Sequence, residues 1–432
     1  MSSKAKTTAT KEEAKPALVP KLRFPEFRGT AGWKTQSLGD VCKLYQSETI
    51  ASSEFVEDGE HFVYGANGVV GRLDRYNHEH EEVAVSCRGN CGEVHLTKPK
   101  SWITGNAMVV SPKTGDITKK FLFRLLGAAN LKPVISGSAQ PQITRQGFSP
   151  FEVSIPLPPE QQKIAECLSS VDELMAAQAR KVDALKTHKK GLMQQLFPRE
   201  GETQPRLRFP EFQNAGEWNL TTVGGLVEAG CLFAPKDGNH GNIHPKSSDY
   251  VAKGIPFIMA SDLNGGVIDT ETCHFISKEQ ADALQKGFAK EGDVLLSHKG
   301  TVGEVAVVPK INTPYLMLTP QVTYYRVKDR KKLSNEFLAQ LFVADAFQSN
   351  LVEVSGGGTR AYVGITEQAK LRLQLPKDVE EQQRIATCLS SLDALITAET
   401  QKLAALKTHK KALMQQLFPS SGEFSDTIKQ GF

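Results

Sequence analysis

An internal duplication constrains the fold of this chain more than any other feature of its sequence. The segment Pro20–Phe27 (PKLRFPEF) returns as Pro205–Phe212 (PRLRFPEF), and a tryptophan follows each copy at the same spacing, as Trp33 and Trp218. Self-similarity of this kind decides the architecture before any other signal. Weaker matches follow in the same order, so we interpret the chain as one ancestral half-protein duplicated head to tail, with insertions in the second copy.

The longest repeated segment has the features of a long helix. Residues 161–198 and 382–419 are identical at 26 of 38 positions. Proline-bearing segments precede both copies, and Pro198 and Pro419 end them, because proline cannot continue a helix. A helix of this length would extend about 57 Å at 1.5 Å per residue, which is far longer than the average globular helix.

Apolar residues in both copies step by alternating fours and threes, which is the heptad spacing of a coiled coil. The predicted seam consists of Ile164, Leu168, Val171, Met175, Val182, Leu185, Leu192 and Leu196 in the first copy and Ile385, Leu389, Leu392, Ile396, Leu403, Leu406, Leu413 and Leu417 in the second. Gln178 and Lys189 interrupt the first seam, and Glu399 and Lys410 interrupt the second.

These polar seam positions favour an antiparallel helix pair. Parallel pairing in register would place Lys189 against Lys410, with two like charges in one seam. Antiparallel pairing places Lys189 near Leu392 instead, where its stem packs and its ammonium group reaches solvent. The alternative is that each helix packs only on its own domain.

The segments between the repeats predict one small α/β domain in each half, because short β-rich runs accompany an amphipathic stretch near Phe121 or Phe337. The predicted β-rich runs are Glu82–Ser86, Trp102–Ser111, Val294–Ser297 and Tyr315–Val327.

In both halves a predicted strand ends in a Gly-x-x-Gly turn that carries a cation. The cation is Arg88 in SCRGNCGEV and Lys299 in SHKGTVGEV. Glycine permits a tight turn and close backbone approach, and a cation beside it suits a phosphate or a guanine edge. We therefore expect a DNA-contacting hairpin in each half. The alternative is an ordinary β-turn with a solvated cation.

Polar residues of these turns and of other predicted loops complete the candidate DNA contacts, because amides, arginines and aromatic rings read base edges or bind the backbone. The candidates are Tyr64, Asn67, Arg72, Arg88, Asn90, Gln140, Gln142, Arg145, Ser261, Asp262, His298, Lys299, Thr301, Arg360 and Tyr362. Taken singly, each also fits an ordinary loop residue.

The composition limits the class of protein but does not identify a function. The net charge of +4 is too small to identify a nucleic-acid-binding protein without a clustered basic surface. The first nineteen residues lack the apolar core of a signal peptide, and no later run is long enough to span a bilayer, so we expect a cytoplasmic protein. The seven cysteines, an odd number spread along the chain, do not form a disulfide framework pattern.

Motifs for catalysis and cofactor binding are absent or weak. The sequence has no Gly-x-x-x-x-Gly-Lys-Ser/Thr loop for ATP and no Asn/Asp-Pro-Pro-Tyr/Phe motif. A glycine cluster at 356–358 could pass for a methyl-donor loop, but its first-copy counterpart is Gly-Ser-Ala. Cys87, Cys91 and His95 are spaced four apart without a fourth zinc ligand. We expect no catalytic residue, no metal and no cofactor on this chain.

The repeated LRFPEF segment, the segment IPLPPEQQKIA that begins the helix and the segment LKTHKKGLMQQLFP that ends it resemble type I restriction specificity subunits. The resemblance covers about residues 20–419. It implies an α/β fold with two tandem target-recognition domains, separated by two long antiparallel coiled-coil helices in a pseudo-twofold internal repeat.

The resemblance also implies a non-catalytic subunit that binds double-stranded DNA at an asymmetric bipartite site. Each domain would read one half-site, and the helix pair would set the spacing. Two methyltransferase subunits and the motor-nuclease subunits would dock on the chain, so S-adenosylmethionine, ATP and Mg are expected on those partners. Two alternatives are a bifunctional modification enzyme with its own catalytic site and a coiled-coil scaffold without DNA specificity.

The expected segments follow from the repeats and the two helices. They are a disordered tail at 1–19, target-recognition domain 1 at 20–155, a central conserved helix at 156–203, target-recognition domain 2 at 204–377, a distal conserved helix at 378–419 and a C-terminal tail at 420–432.

Overall fold

The structure is a computed structural model that describes residues 18–137, 139–356 and 362–419, without the side chain of Asn242. Two units, Met1–Ala179 with Gln401–Phe432 and Arg180–Thr400, make up the chain. The division falls inside both conserved helices, so each unit holds one variable segment and part of each helix.

The first variable segment forms an α/β domain. Its elements are β1 (Lys34–Ser37), α1 (Leu38–Val41), β2 (Cys42–Gln46), β3 (His61–Gly65), β4 (Gly68–Leu73), β5 (Val83–Ser86), β6 (Val94–Leu96), β7 (Trp102–Ile103), β8 (Ala107–Pro112), α2 (Lys119–Ala128), α3 (Arg145–Phe148) and β9 (Glu152–Ile155).

The central sheet of this domain is antiparallel, with strand order β2-β8-β5-β6. All four side chains of β5 are buried, and the first three of them are apolar. A second sheet has the order β4-β3-β7, and β1 pairs with β9. Helix α2 begins at a capping residue, Thr118, whose hydroxyl accepts a hydrogen bond from the Phe121 amide.

The first conserved helix, α4 (Pro158–Leu196), leads to the second variable segment. That segment contains β10 (Asn219–Thr222), α5 (Val223–Glu228), β11 (Lys236–Asp237), β12 (Tyr250–Val251), β13 (Ile255–Ile258), β14 (Leu263–Asn264), β15 (Val267–Ile268), β16 (His274–Ile276), α6 (Lys278–Asp282), β17 (Phe288–Ala289), β18 (Val294–Ser297), β19 (Val305–Val307), β20 (Leu316–Leu318), β21 (Val322–Tyr325), α7 (Asn335–Val343), α8 (Asp345–Val354), α9 (Ile365–Gln368) and β22 (Arg372–Leu375).

The second domain repeats the first and enlarges it. Its sheet β11-β21-β18-β19 corresponds to β2-β8-β5-β6, and the pair β10-β22 corresponds to β1-β9. Its second sheet is larger, with the order β12-β16-β13-β20-β17, and β14 and β15 form a further pair. The enlargement agrees with the insertions expected in the second copy.

The predicted β-rich runs 102–111 and 315–327 each contain two strands. In the first domain a turn after β7 begins at Thr104, whose carbonyl accepts from the Ala107 amide at 3.0 Å. In the second domain the Thr319 carbonyl accepts from the Val322 amide at 3.2 Å. At each turn the chain crosses from one sheet of its domain to the other.

The LRFPEF motif places a buried ion pair at the start of each conserved helix. Arg23 donates two hydrogen bonds to Glu160 of α4, at 2.8 and 2.7 Å, and the Trp33 indole donates to the same carboxylate. In the second copy Arg208 pairs with Glu381 at 2.7 Å. Glu381 lies in the second conserved helix, α10 (Val379–Leu417).

The end of each conserved helix packs into an aromatic core. In the first unit Phe418, which follows α10, contacts Trp33 and Phe121 with ring centroids 6.2 and 5.8 Å apart. In the second unit Phe197, which follows α4, contacts Trp218 and Phe337 with centroids 6.0 and 5.7 Å apart. The repeated LFP ending therefore anchors each helix by its C-terminus.

The long helices run antiparallel, as predicted. In the first unit Asp172 of α4 pairs with Lys410 of α10 at 2.6 Å. In the second unit Lys189 of α4 pairs with Asp393 of α10 at 2.6 Å, next to the predicted neighbour Leu392. Every side chain of the two predicted seams is buried or half-buried.

The fold predicted from the sequence is confirmed: two tandem α/β domains, an internal repeat and two long antiparallel helices. Within the part of the chain that the structure describes, no helix combines the length and apolarity that crossing a membrane requires.

Candidate nucleic-acid interface

The Gly-x-x-Gly turn of the first domain connects β5 to β6 as a hairpin. Gly89 and Gly92 have φ values of 70° and 92°, which side chains rarely adopt, so glycine is required at both positions. The Gly92 amide donates to the Ser86 carbonyl at 2.9 Å and closes the turn. Arg88 and Asn90 are exposed at its tip.

Two further loops meet this turn. A β-bridge joins Arg88 to Gln142, and the Cys91 thiol donates to the Pro141 carbonyl at 3.1 Å. The Ser86 hydroxyl donates to the carbonyl of Ala66, which lies in the turn between β3 and β4.

The structure therefore brings together one group of candidates in the first domain. Asn67 follows Ala66 in its turn, and Gln140 precedes Pro141 in its loop. Asn67, Arg88, Asn90, Gln140 and Gln142 are all exposed. They are four potential amide contacts and one guanidinium on three adjoining loops, which suits hydrogen bonding to base edges and phosphates.

The corresponding turn of the second domain has the same geometry. Gly300 and Gly303 have φ values of 82° and 101°. Lys299 and Thr301 are exposed, and a β-bridge joins Lys299 to Tyr362, which is 49% exposed. Tyr362 and Lys299 thus offer an aromatic face and a cation side by side. The candidate Arg360 lies outside the described residues.

Burial corrects two of the predicted contacts. His298 is 0% exposed, and burial lowers the pKa of its imidazole to about 4, so the ring is neutral and shielded from solvent. Tyr64 is 7% exposed, and its hydroxyl accepts a hydrogen bond from the Lys98 amide at 3.2 Å. Neither side chain is exposed at the surface where DNA would bind.

The remaining candidates lie apart from the two turns or already make hydrogen bonds within their own domain. Arg72 donates to the Gly59 carbonyl, and its guanidinium covers the Phe62 ring at 4.5 Å. Asp262 accepts from the Met259 amide at 2.7 Å, which caps the 3-10 helix Ala260–Asp262.

Burial raises the pKa of Asp262, and its bond to the Met259 amide opposes that shift only in part. Ser261 is exposed in the same 3-10 helix. Arg145 is exposed at the first position of α3. These three side chains stay predictions as DNA contacts.

The possible zinc ligands of the first turn do not converge. Cys91 donates to a carbonyl, and His95 lies 3.7 Å from the Glu93 carboxylate. Among the described residues, no group of three or more His, Cys, Asp or Glu side chains is placed to hold a metal ion.

Sequence reasoning missed a pocket of about 330 Å³ beside Lys299. Its walls come from the loop before β12 and from the turn between β20 and β21. The side chains that line it include His240, His244, Met259, Thr319 and Gln321. The one sequence signal was the pair of histidines in the glycine-rich segment GNHGNIH.

Solved structures of the same architecture define the class of protein to which this fold belongs. The S subunit of a type I restriction-modification system from M. genitalium superposes with a TM-score of 0.62 at 15% identity, covering 93% of this chain and 100% of that one. A chain from a structure on the complex assembly of the type I R-M system gives 0.53 at 17% identity, covering 90% and 98%. The fold is therefore that of S subunits.

Sequence comparison assigns the family. The MjaVIII specificity subunit of a type I restriction enzyme from Methanocaldococcus jannaschii is 23% identical over 423 residues, which are 92% of this chain and 93% of that protein. The model of the type I restriction modification DNA specificity domain matches residues 30–187 and 216–408, once in each copy. The chain belongs to this family, and the resemblance noted in its sequence is confirmed.

Proposed function

We propose that this chain selects the DNA sequence on which a type I restriction-modification complex acts, with one half-site read by each α/β domain. The observation that carries the proposal is the double match of the DNA specificity domain, one for each copy. The equivalent turns with exposed Arg88 and Lys299 support it, because each domain then offers a cation at the same structural position.

The site is proposed to be asymmetric and bipartite. The first turn is flanked by Asn67 and Gln142, whereas the second is flanked by Tyr362. Different side chains beside a shared framework favour different bases. The antiparallel pair α4 and α10 is proposed to set the spacing between the half-sites.

Two methyltransferase subunits are the proposed partners of the repeated framework, together with the motor-nuclease subunits. The same exposed turn occurs in both copies, as the 3-10 helices Pro25–Phe27 and Pro210–Phe212. An ion pair of 3.3 Å joins each turn to its conserved helix, from Glu26 to Lys163 and from Glu211 to Arg384. Two equal surfaces suit two copies of one partner.

Catalysis is proposed to belong to those partners. S-adenosylmethionine, ATP and Mg would bind to them, and this chain would bind none of the three. The sequence supports this division, since it lacks the ATP loop and the adenine methyltransferase motif.

A methyl-transfer assay on duplex DNA tests the proposal with three samples: this chain alone, its methyltransferase partner alone, and both together. We expect transfer to a defined sequence only in the third sample. Methyl transfer by the purified chain alone would favour a bifunctional enzyme. Equal binding of random and cognate duplex by the assembled complex would favour a scaffold without specificity.

A further inference from the structure

The pocket beside Lys299 lies where the second domain changes from one sheet to the other. The turn Thr319–Gln321 connects β20 of the five-stranded sheet to β21 of the four-stranded sheet. The Gln321 carbonyl also accepts from the His298 amide at 2.9 Å, which ties this turn to the Gly-x-x-Gly hairpin. The pocket therefore adjoins the proposed DNA-contacting surface.

Buried polar atoms without partners gather at this pocket. Thr319 is 3% exposed, and its hydroxyl has no hydrogen-bond partner among the described residues. Within the same described part, Nδ1 of His244 is buried without a partner. Buried polar groups are ordinarily hydrogen-bonded, so an unpaired cluster beside an open cavity indicates a site for a polar ligand.

The first domain satisfies the equivalent hydroxyl internally. Ser86 pairs with Ala107 as Ser297 pairs with Val322, so Thr104 occupies the position of Thr319. The Thr104 hydroxyl accepts from the Asn106 amide at 3.3 Å. The same residue type is thus partnered in one copy and unpartnered in the other.

The charges of the pocket favour an anion with a flat polar body. The Asp237 carboxylate is paired with Lys286, and Nε2 of the pocket residue His240 lies 2.6 Å from it. Lys299 supplies a cation at the rim, and Met259 supplies an apolar wall. Burial lowers the pKa of His244, which favours the neutral ring, and a hydrogen bond to the Asn239 backbone opposes that shift only in part.

We propose that this pocket binds a single nucleotide, with the base against Met259 and His244, the Thr319 hydroxyl and Gln321 amide on its hydrogen-bonding edge, and the phosphate on Lys299. An amide and a hydroxyl can read such an edge, and a side chain of low polarity can stack on the base face. The nucleotide comes from the bound duplex, displaced from its stack, because Lys299 belongs to the hairpin that faces DNA. In this respect the inference rests on the proposed function.

Fluorescent base analogues placed at successive positions of the cognate half-site test this source of the nucleotide. The full chain, assembled with its methyltransferase partners, should raise the fluorescence severalfold at one position, because the analogue is quenched while stacked. Thr319→Val should abolish the rise and weaken cognate binding about tenfold, the net value of one hydrogen bond. Its unfolding midpoint should not fall, since a methyl group replaces an unpaired buried hydroxyl.

Thr323→Val is the matched control. Its hydroxyl is also buried and lacks a partner among the described residues, but it does not line the pocket. It should leave fluorescence and affinity unchanged.

A second arm titrates dAMP, dGMP, dCMP and dTMP into the full chain without DNA. Binding that Thr319→Val weakens and Thr323→Val does not would assign the same pocket to a free nucleotide. The proposal is overturned if Thr319→Val leaves the fluorescence rise as large as in the unmodified complex, since methyltransferases also displace a base, or if no position fluoresces and no mononucleotide binds. A complex that prefers cognate to random duplex under those results would keep the proposed function intact, whereas loss of that preference in the unmodified complex would refute the proposed function itself.

Discussion

A buried guanidinium and carboxylate explain why the LRFPEF segment recurs. The side chains of Arg23 and Glu160 are 6% and 1% exposed. Removing both charges from water is costly, and the remaining hydrogen-bonding capacity must be used to offset that cost. Thr30 and Ala31 accept from the same guanidinium, and Trp33 donates to the carboxylate. The motif therefore fixes the first domain onto the start of α4.

Glu160→Ala should strongly destabilise the first unit. The substitution leaves the charge of Arg23 buried without its partner, which lowers the free energy of unfolding by about 3–5 kcal/mol. Chemical denaturation of the variant measures the loss. Glu54→Ala is the control, because its pair with Arg75 is exposed on both sides and is worth roughly 0–1 kcal/mol. Equal losses in the two variants would contradict the role given to the buried pair.

Arg88→Ala and Lys299→Ala should each weaken binding of the cognate duplex. The loss is about 1–3 kcal/mol where the cation pairs with a base, and less where it meets only phosphate. Affinity measured against salt concentration separates the two cases, because a lost phosphate contact reduces the salt slope. Lys120 and Lys331 are exposed and come after β8 and β21, at the opposite end of each sheet from the Gly-x-x-Gly turn. Their alanine variants are the matched controls. The hairpin hypothesis fails if neither substitution at the turns changes affinity or salt dependence.

Neighbouring residues show where sequence reasoning ends at this scale. The glycines predicted the turn at Lys299, because positive φ is a local requirement. The adjacent His298 was predicted at the same surface but is buried. Alternation along a strand gives no orientation once the chain enters a turn, and the β-bridge between Lys299 and Tyr362 that covers this region joins residues far apart in the sequence.

The paired helices were the most predictable elements. A heptad pattern sustained over 38 residues indicates both the helix and its buried face. Lys189 and Lys410, the charged interruptions of the seams, predicted the antiparallel direction. Each is now paired with an aspartate of the opposite helix, Asp393 and Asp172. Polar positions in a seam thus specify orientation.

Acid should weaken the first unit through Asp172. Burial acts to raise the pKa of its carboxyl group, but hydrogen bonds from Lys410 and Arg124 outweigh that effect and the pKa is lowered. The pKa of an aspartate in the unfolded chain is near 4. Above that pH the lowered pKa of Asp172 stabilises the folded state, and this stabilisation is lost as the pH falls through the pKa of the folded state.

Asp172→Asn should therefore reduce stability at pH 7 and show a smaller further loss between pH 5 and pH 2 than the unmodified chain. Denaturant midpoints at several pH values measure both effects. Exposed Glu173→Gln should retain the full loss. If Asp172→Asn followed the same pH curve as the unmodified chain, the ion pairs of Asp172 would not be a source of the acid sensitivity.

The enlarged sheet of the second domain was the least predictable element. Its strands β12 and β17 contain two residues each, Tyr250–Val251 and Phe288–Ala289. Two residues cannot show a period of two, so no pattern marks them. The pocket beside Lys299 joins loop residues that are far apart in the sequence, so no local pattern marks it either.

Across the whole molecule, the two copies agree in the framework and differ in the loops. The buried Arg–Glu pairs, the aromatic anchors and the helix seams recur, whereas the side chains around the two Gly-x-x-Gly turns do not. Duplication of a framework with divergence of its surfaces is the pattern expected of a protein that performs one task on two different sequences.

Lengthening both helices should lengthen the spacer of the recognised site. Seven residues inserted after Lys181 and seven after Lys402 preserve the heptad phase of both helices and add about 10.5 Å. At 3.4 Å per base pair, this corresponds to about three base pairs. The methylation motif of the variant, with its partners present, reports the spacer directly.

Insertions of five residues at the same positions are the control, because they break the heptad phase and should abolish activity. An active seven-residue variant with an unchanged spacer, or with altered half-site bases, would show that the helices do not set the distance. Rotation of the duplex by the added base pairs is expected to lower activity without changing the bases that are read.

The central claim is that this chain reads two different half-sites on one duplex. Mapping methylated adenines in a genome that carries the chain and its partners, against the same strain without the chain, tests it most directly. We expect methylation that depends on the chain, at an asymmetric motif of two specified blocks separated by an unspecified spacer. A single continuous palindrome, or a methylation pattern that is the same without the chain, would contradict the claim.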